Sequence, residues 1–579
     1  MNPAKVIDPK EILNLFTEDI KTNSIHERLF TAGNMWLVAA ALGPEKTRGD
    51  LIPFLMKENH FEGEIKAIIA EQLGDFVKYV GGPQHASVLI NPLRNLIDSE
   101  EIFVREKAID SLASVCSCIP GSSRDTTITN LISTLFQAPF TTSRIAGCSL
   151  LPKLYEMVTD QNKAKLRRGF ITCTKDDTPI VRRAALHAIP ALCNVLKQTV
   201  ILGEIIRQAL AERLNDDDES IRVMIPECLP AVAAKIPNAE RYSVLVPLAR
   251  SLAKDSSWWV RANMAKTLSV LVPYFAADLI GSDIGSIILF LLRDFDPEVK
   301  TAACGCCKQI VDVLVKVPTF FNDSVLPEII SLSEDKFKQV REEVAADILV
   351  FARITGDALA REKLFPILCN LIYDHERDVV IAALKSLRAN FTSIDSYAIT
   401  HAVLPKLIEI ATKEDFRVKI EIIHLLDLFL PYVTPEAIPK QIIPLIRQWM
   451  KDSFFAVREE ICKSLPSIIT VINNPEVTDM ILEVLVSLIY DPTFSIRQAA
   501  LLAAFYMADV LTPEENSKKI LPSVLLMASD RIPNVKILCA KVLQKLKTCV
   551  NEKGISQINL CFKLLKKDTD SDVIYFASL

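Results

Sequence analysis

One short pattern returns fifteen times along the 579 residues and leaves few folds open to the chain. An acidic turn is followed by a β-branched residue, a basic residue, and apolar residues four and eight places on. The clearest pairs are Val104-Arg105, Val181-Arg182, Ile221-Arg222, Val260-Arg261, Val299-Lys300, Val340-Arg341, Val418-Lys419, Val457-Arg458, Ile496-Arg497 and Val535-Lys536. Arg28, Ile65-Lys66 and Ser143-Arg144 are weaker copies, while Val379-Val380 and Val573-Ile574 keep the place and lose the charge. Successive copies lie 38 to 41 residues apart, about 39 on average. A fixed period of this length marks an array of small units, each too small to bury its own apolar face and therefore stacked on its neighbours. The chain is also longer than one hydrophobic core usually serves, which an array does not require.

Each unit resolves into two helices. The second begins near the basic position, and its apolar residues keep helical spacing, as in Val104, Ala108, Leu112 or Val457, Ile461, Leu465, Ile468. The first precedes the acidic turn and often holds a proline (Pro53, Pro92, Pro247, Pro366, Pro405, Pro444, Pro522), which removes a backbone hydrogen bond and bends the helix. Only 16 glycines occur in the chain, as suits helices throughout. A bent helix pair of this length predicts an all-α fold, an α-α superhelix of about fifteen HEAT-type repeats.

Ten of the basic positions have an aspartate six residues upstream: Asp176, Asp216, Asp255, Asp294, Asp335, Asp374, Asp452, Asp491, Asp530 and Asp568. Stacking brings each aspartate near the basic group of an adjacent repeat, and aspartate also suits the start of the second helix. These charges read as braces between repeats. The acidic run Asp216-Asp217-Asp218-Glu219 reads as a solvated turn.

Little points to catalysis. No phosphate-binding glycine loop, no G-x-S-x-G and no H-E-x-x-H is present. The seven histidines (His26, His60, His85, His187, His375, His401, His424) are scattered along the chain, so no metal or cofactor site is expected. Cys304, Cys306 and Cys307, with Cys116 and Cys118 the nearest to a metal-binding spacing, read as small core residues. The apolar stretch 268–292 is broken by Asp278 and Asp283, so no membrane insertion is expected. A net charge of −5 argues against a nucleic-acid partner. The first twenty residues hold charges and no apolar run. The chain reads as cytoplasmic, with the nucleus also open to it.

Turns between paired helices are free of packing and carry function. Most here are acidic or small, but Phe140, Trp258, Trp259, Phe295 and Phe337 stand in turns. Three consecutive repeats then present Phe416, Phe454-Phe455 and Phe494, with Arg417 beside the first. Aromatic residues and arginine are what interface hot spots favour, so these rings are expected to form a row along one edge.

The strings ALGPEKTRGDLIPFL (Ala41–Leu55), AEQLGDFVKYVGGP (Ala70–Pro83), VREKAIDSL (Val104–Leu112) and DDTPIVRRAA (Asp176–Ala185) go beyond a generic repeat. On them, and on fifteen repeats in series, the chain resembles the scaffolding A subunits of protein phosphatase 2A. The resemblance implies a non-catalytic, horseshoe-shaped platform, with no cofactor, that holds a variable regulatory B subunit together with a Ser/Thr phosphatase catalytic subunit. It implies a catalytic-subunit seat at Phe416, Arg417, Phe454, Phe455, Phe494 and Asn534. It implies regulatory-subunit contacts at Glu100, Glu101, Phe140, Asp177, Thr178, Pro179, Arg183, Trp258 and Trp259. A single solenoid over 1–579 would then divide into repeats 1–8 (1–320) for the regulatory subunit, a central hinge of repeats 9–10 (321–396), and repeats 11–15 (397–579) for the catalytic subunit.

Some residues depart from the family pattern. Phe416 stands for a tryptophan, and Phe455 and Phe494 for tyrosines. Trp259 stands where arginine is usual, Phe140 where tryptophan is usual, and Val380 interrupts the basic series, so a looser stack is expected in repeat 10. The rival reading is a HEAT-repeat nuclear transport receptor of the importin-β type, whose acidic turns would suit basic cargo signals.

Overall fold

In ten repeats the second helix starts the same way because one aspartate starts it. In the computed structural model, which describes residues 9–22, 24–57, 61–391, 399–412 and 415–579, all ten marker aspartates accept a hydrogen bond from the backbone N–H two residues on, at 2.8 to 3.1 Å. That residue is in each case the N-cap, held in extended backbone, as at Thr178 (φ −90°, ψ 117°) and Phe454 (φ −85°, ψ 125°). The chain is thereby turned into the helix that follows. His60, the first eight residues and residues 392–396 of the expected hinge lie outside the described residues.

All secondary structure among the described residues is helical. The chain divides into two compact units, Met1–Leu291 and Leu292–Leu579. Within the first, the second helices stack in series: Ile25–Gly33 on Gly63–Gly74, then Ile102–Cys118, Thr141–Leu154, Pro179–Cys193, Met224–Lys235 and Trp258–Leu271. Within the second, Pro297–Gln309 is followed in the same manner by Lys338–Asp347, Arg377–Ala389, Phe416–Phe429, Phe455–Ile472, Phe494–Met507, Pro533–Leu546 and Ser571–Ser578. The β-branched marker residues Val104, Val181, Ile221, Val340, Val457 and Val535 are fully buried in these stacks.

The basic marker closes most of the junctions. Arg182 Nη1 donates to the carbonyl of Asp176, six residues back, at 2.7 Å, and Nη2 donates to Asp216 of the next repeat at 2.8 Å. The same double contact holds Arg144 to Asp176, Arg222 to Asp255, Arg341 to Asp374 and Arg497 to Asp530, with ion-pair distances of 2.6 to 2.8 Å. Lysine serves at Lys300–Asp335, Lys419–Asp452 and Lys536–Asp568. The six-residue spacing is thus the reach from a guanidinium back to its own turn.

The series departs from expectation in three places. Asp491 is paired with Lys451 at 2.9 Å and not with Arg458. Where Val380 carries no charge, Arg377 reaches Asp415 of the following repeat at 3.5 Å. The acidic turn is solvated at Asp217 but not at Asp216, which is buried and bridges Arg182 and Arg213.

Several prolines of the first helices follow widened turns. Wide π-type turns Thr47–Leu51, Phe321–Val325, Ala360–Leu364, Ile399–Val403, Ile438–Ile442 and Asn516–Ile520 immediately precede the segments carrying Pro53, Pro327, Pro366, Pro405, Pro444 and Pro522. The same wide turns occur at Ile201–Leu210 and Ile280–Ile284, where no proline follows, so the ring is not their common cause. Gly43 (φ 75°) and Gly356 (φ 74°) take the left-handed conformation between repeats, where a side chain would be strained.

The Phe136 ring lies between two glycines. A Cβ on Gly147 would meet Cδ1 at 2.9 Å, and one on Gly169 would meet Cδ2 at 2.6 Å. Twelve of the fourteen cysteines are buried, among them Cys304, Cys306 and Cys307; Cys118 is exposed. Burial pushes the Cys116 and Cys307 thiols up to about 12, which keeps them protonated.

Candidate partner-docking site

Because the second helices begin at one edge of each unit, the residues at their starts share that edge. Asp415 caps Phe416–Phe429, accepting from the N–H groups of Arg417 at 2.8 Å and Val418 at 3.3 Å. Phe416 is then the first helical residue. Its half-buried ring stacks on Phe454, with centroids 4.6 Å apart and planes 21° from parallel. The Arg417 guanidinium lies 4.9 Å from the same ring, a cation–π contact that leaves the arginine exposed.

The row does not continue as one stack. Phe454 is the N-cap of Phe455–Ile472 and lies against the previous repeat, whereas Phe455, one position into the helix, turns toward the following ones. Phe455 is 59 % exposed and lines a groove of about 310 Å³ with Arg458, Ser495, Gln498, Asn534 and Lys541. Phe494 opens Phe494–Met507, nearly half exposed, and has no ring partner among the described residues. Asn534 is exposed, and its carbonyl accepts from Gln498 Nε2 at 3.4 Å. The residues expected to act together therefore form a stacked pair, a groove holding Phe455 and Asn534, and one separate ring.

Arg458 and Lys541 were not singled out as site residues by sequence. Arg458 is 6 % exposed, and burial pulls its guanidinium below its usual value. Nη1 donates to the carbonyls of Asp452 and Ser453 at 2.6 and 3.0 Å, but Nε has no partner among the described residues. The available signal was Lys451, a second basic residue directly before Asp452 that takes over Asp491.

In the first unit, Glu101 caps Ile102–Cys118, and the hydrogen bond from Ser99 Oγ at 2.6 Å holds its carboxyl below the usual range. Glu100 is exposed, and its carbonyl accepts from Arg105 at 2.8 Å. Asp177 is exposed; Thr178 caps the next second helix and accepts from Arg144 at 3.3 Å; Pro179 is that helix's first residue. Arg183 is exposed and donates to Ser220 Oγ of the next repeat. Phe140 is an N-cap, 63 % exposed, and Trp258 and Trp259 open Trp258–Leu271 with each ring nearly half exposed. Apart from Arg183, every one of these residues lies within two positions of an N-cap. Among the described residues there is no cluster of three metal-ligating side chains and no helix long and apolar enough to cross a membrane.

No protein-family model matches the chain. Among solved structures it is similar to Kap121p bound to RanGTP (TM-score 0.65, 13 % identity, 97 % of this chain and 59 % of that one). It is also similar to Kap95p in complex with RanGDP (TM-score 0.54, 12 % identity, 99 % of this chain and 87 % of that one). At such identity the likeness concerns the fold alone. The chain is an α-α solenoid of HEAT-type repeats. By sequence it is similar to the regulatory A subunits of protein phosphatase PP2A. It is 36 % identical over 269 residues to the PP2A regulatory A subunit of Schizosaccharomyces pombe, covering 45 % of each chain. It is 32 % identical over 277 residues to the Saccharomyces cerevisiae protein of that name, covering 46 % of this chain and 44 % of the other. The Dictyostelium discoideum protein phosphatase 2A scaffold subunit is 34 % identical over 193 residues, which cover 33 % of each chain. The matched stretches span less than half the length of these relatives.

Proposed function

We propose that this chain is a non-catalytic scaffold that seats a Ser/Thr phosphatase catalytic subunit on repeats 11–15 (397–579) and a regulatory subunit on repeats 1–8 (1–320), with repeats 9–10 (321–396) between them. The exposed aromatic edge carries the reading. Phe416 stacked on Phe454, Phe455 beside Asn534, and Phe494 together expose large apolar rings at the starts of three successive helices. Solvent gives no reason to gather them there, and desolvating such rings is what anchors protein interfaces. Glu100, Glu101, Phe140, Asp177, Thr178, Pro179, Arg183, Trp258 and Trp259 form the corresponding edge for the regulatory subunit. The scaffold acts by holding two proteins on one chain, which raises the effective concentration of each at the other. Its place of action is the cytoplasm and the nucleus.

The test is co-purification of the intact chain with its bound proteins, beside a variant carrying Phe416→Ala, Phe455→Ala and Phe494→Ala. Binding of the catalytic subunit should weaken by roughly 2 kcal/mol or more, with helicity and melting nearly unchanged. Full-affinity retention of the catalytic subunit by the triple variant would overturn the seat. Capture of Ran and basic cargo in place of phosphatase subunits would overturn the scaffold reading.

A further inference from the structure

Arg458 makes only half of the contacts that its place in the series calls for. In Arg222, Arg341 and Arg497, Nη1 donates to a carbonyl of the arginine's own turn, while Nε and Nη2 close as a fork on an aspartate 33 residues ahead. Arg144 and Arg182 reach their aspartates through Nη2. Arg458 keeps the first contact, from Nη1 to the Asp452 and Ser453 carbonyls, and lacks the second. Asp491 stands 33 residues ahead of it, but Lys451 holds that carboxylate. Asp452 is taken by Lys419 at 2.6 Å and by the Phe454 N–H. Arg105 also has no carboxylate partner among the described residues, but there Ala138 stands where the aspartate would. At Arg458 the aspartate is present and engaged elsewhere.

The guanidinium left over is more than nine-tenths buried, and it lines the groove that holds Phe455 and Asn534. A buried donor without an acceptor is costly, and Nε has none among the described residues. Lys541 lines the same groove, 4.2 Å over the Phe576 ring and without a carboxylate partner among the described residues. One acid, Glu459, borders the groove as well, but it is paired with Lys463 of its own helix at 2.9 Å. The groove therefore keeps two cations that no acid of the described chain answers.

We infer that this groove receives an Asp or Glu side chain of the protein docked on the aromatic edge, with its carboxylate on the open side of the Arg458 guanidinium. This rests on the scaffold reading, which seats the catalytic subunit here. The other junctions show what such a fork holds: Arg222, Arg341 and Arg497, anchored by the same Nη1 contact, each close on an aspartate. A planar fork matches the two oxygens of a carboxylate. The Phe455 ring, with its centroid 5.8 Å from the guanidinium, would shield that pair from water once covered by a partner. Arg458 is then a specificity determinant. A partner without the acid would cover the guanidinium and leave it unpaired, which disfavours the wrong complex.

The test measures the affinity of the catalytic subunit for the intact chain and its variants. Arg458→Met should weaken binding by roughly tenfold or more, as the loss of one member of a buried charge pair implies. Lys451→Met leaves Arg458 in place but frees Asp491 to fill the fork from within, so it should weaken binding too. Adding Lys451→Met to Arg458→Met should then cost nothing further, and Asp491→Asn should restore binding to the Lys451→Met variant. On the partner, one Asp→Asn or Glu→Gln change should reproduce the loss and add nothing to Arg458→Met. Removing phosphoryl groups from the partner beforehand should leave binding intact. Failure of the unaltered chain to hold the catalytic subunit would overturn the scaffold reading and the site with it. Full affinity in Arg458→Met beside a weakened Phe455→Ala would overturn the site alone. So would a loss with Arg458→Met that Lys451→Met does not share, additive losses in the pair, or loss of binding on dephosphorylation.

Discussion

Arg341 and Asp374 face each other across one repeat junction, with guanidinium Nε and Nη2 donating to the two carboxylate oxygens at 2.7 and 2.9 Å. Both side chains are more than nine-tenths buried. Asp374→Ala leaves the guanidinium buried without its counter-charge, at a cost of about 3–5 kcal/mol. In a stacked array that cost falls on the neighbouring layers. Amide hydrogen exchange should therefore accelerate in Lys338–Asp347 and Arg377–Ala389 while distant repeats keep their protection. Uniform acceleration along the chain would contradict a local brace.

The same couples set an acid limit. Burial works to raise Asp374 and Asp530, but hydrogen bonds from Arg341 and Arg497, and from the cap N–H groups, hold both carboxyls below the usual range. The hydrogen bond from Lys536 does the same for Asp568. A carboxyl depressed in the folded chain takes up its proton first in the unfolded chain. Its stabilisation is present above about pH 4 and is lost as pH falls further, through the folded value. Melting temperatures should vary little from neutral to about pH 5 on this account and fall steeply below about pH 4.

Asp347 behaves in the opposite sense. It is fully buried, and burial raises its carboxyl above the usual range, against the pull of Lys308. The Lys308 ammonium stands 2.6 Å from Oδ1, yet neither carboxylate oxygen receives a hydrogen bond of normal geometry among the described residues. Lys308→Met should destabilise by about 3–5 kcal/mol at neutral pH by leaving a lone buried charge. The deficit should shrink as pH falls through the raised value and Asp347 takes up a proton. Asp347→Asn in the Lys308→Met background should recover most of the loss, and urea unfolding at two pH values measures both effects.

Gly169→Ala is expected to destabilise although alanine is the better helix former by about 1 kcal/mol. The new Cβ would stand 2.6 Å from Phe136, and the ring cannot withdraw because the backbone at Gly147 holds its other edge. Overpacking of this kind costs about 1–3 kcal/mol. Thermal melting should show a loss with Gly169→Ala that Phe136→Leu partly restores in the double variant.

The architecture was legible because it rests on contacts that recur at a fixed place. Val181 must face the core, Arg182 must reach both its own turn and Asp216, and Asp176 must start the helix, so one spacing records three constraints. The candidate site was legible as a set of exposed rings but not as an arrangement. Phe454 and Phe455 are identical in sequence terms; the cap position sends one toward Phe416 and the other toward Asn534. Pairings off the marker, such as Lys451 with Asp491 or Lys308 with Asp347, leave no periodic trace. The widened turns were equally hidden, since they occur both with and without a following proline.

Junctions closed by one interchangeable couple have a consequence for how such a chain can change in length. Excising one whole period from within either compact unit would join a basic group to the next carboxylate in a matching geometry, because Arg222 and Arg497 grip their partners with the same Nε and Nη2 fork. Removing half a period would instead set a cation against a helix interior and strand an acid beneath it. Lengthening or shortening is thereby quantised, and whole modules are the smallest edits such a molecule absorbs.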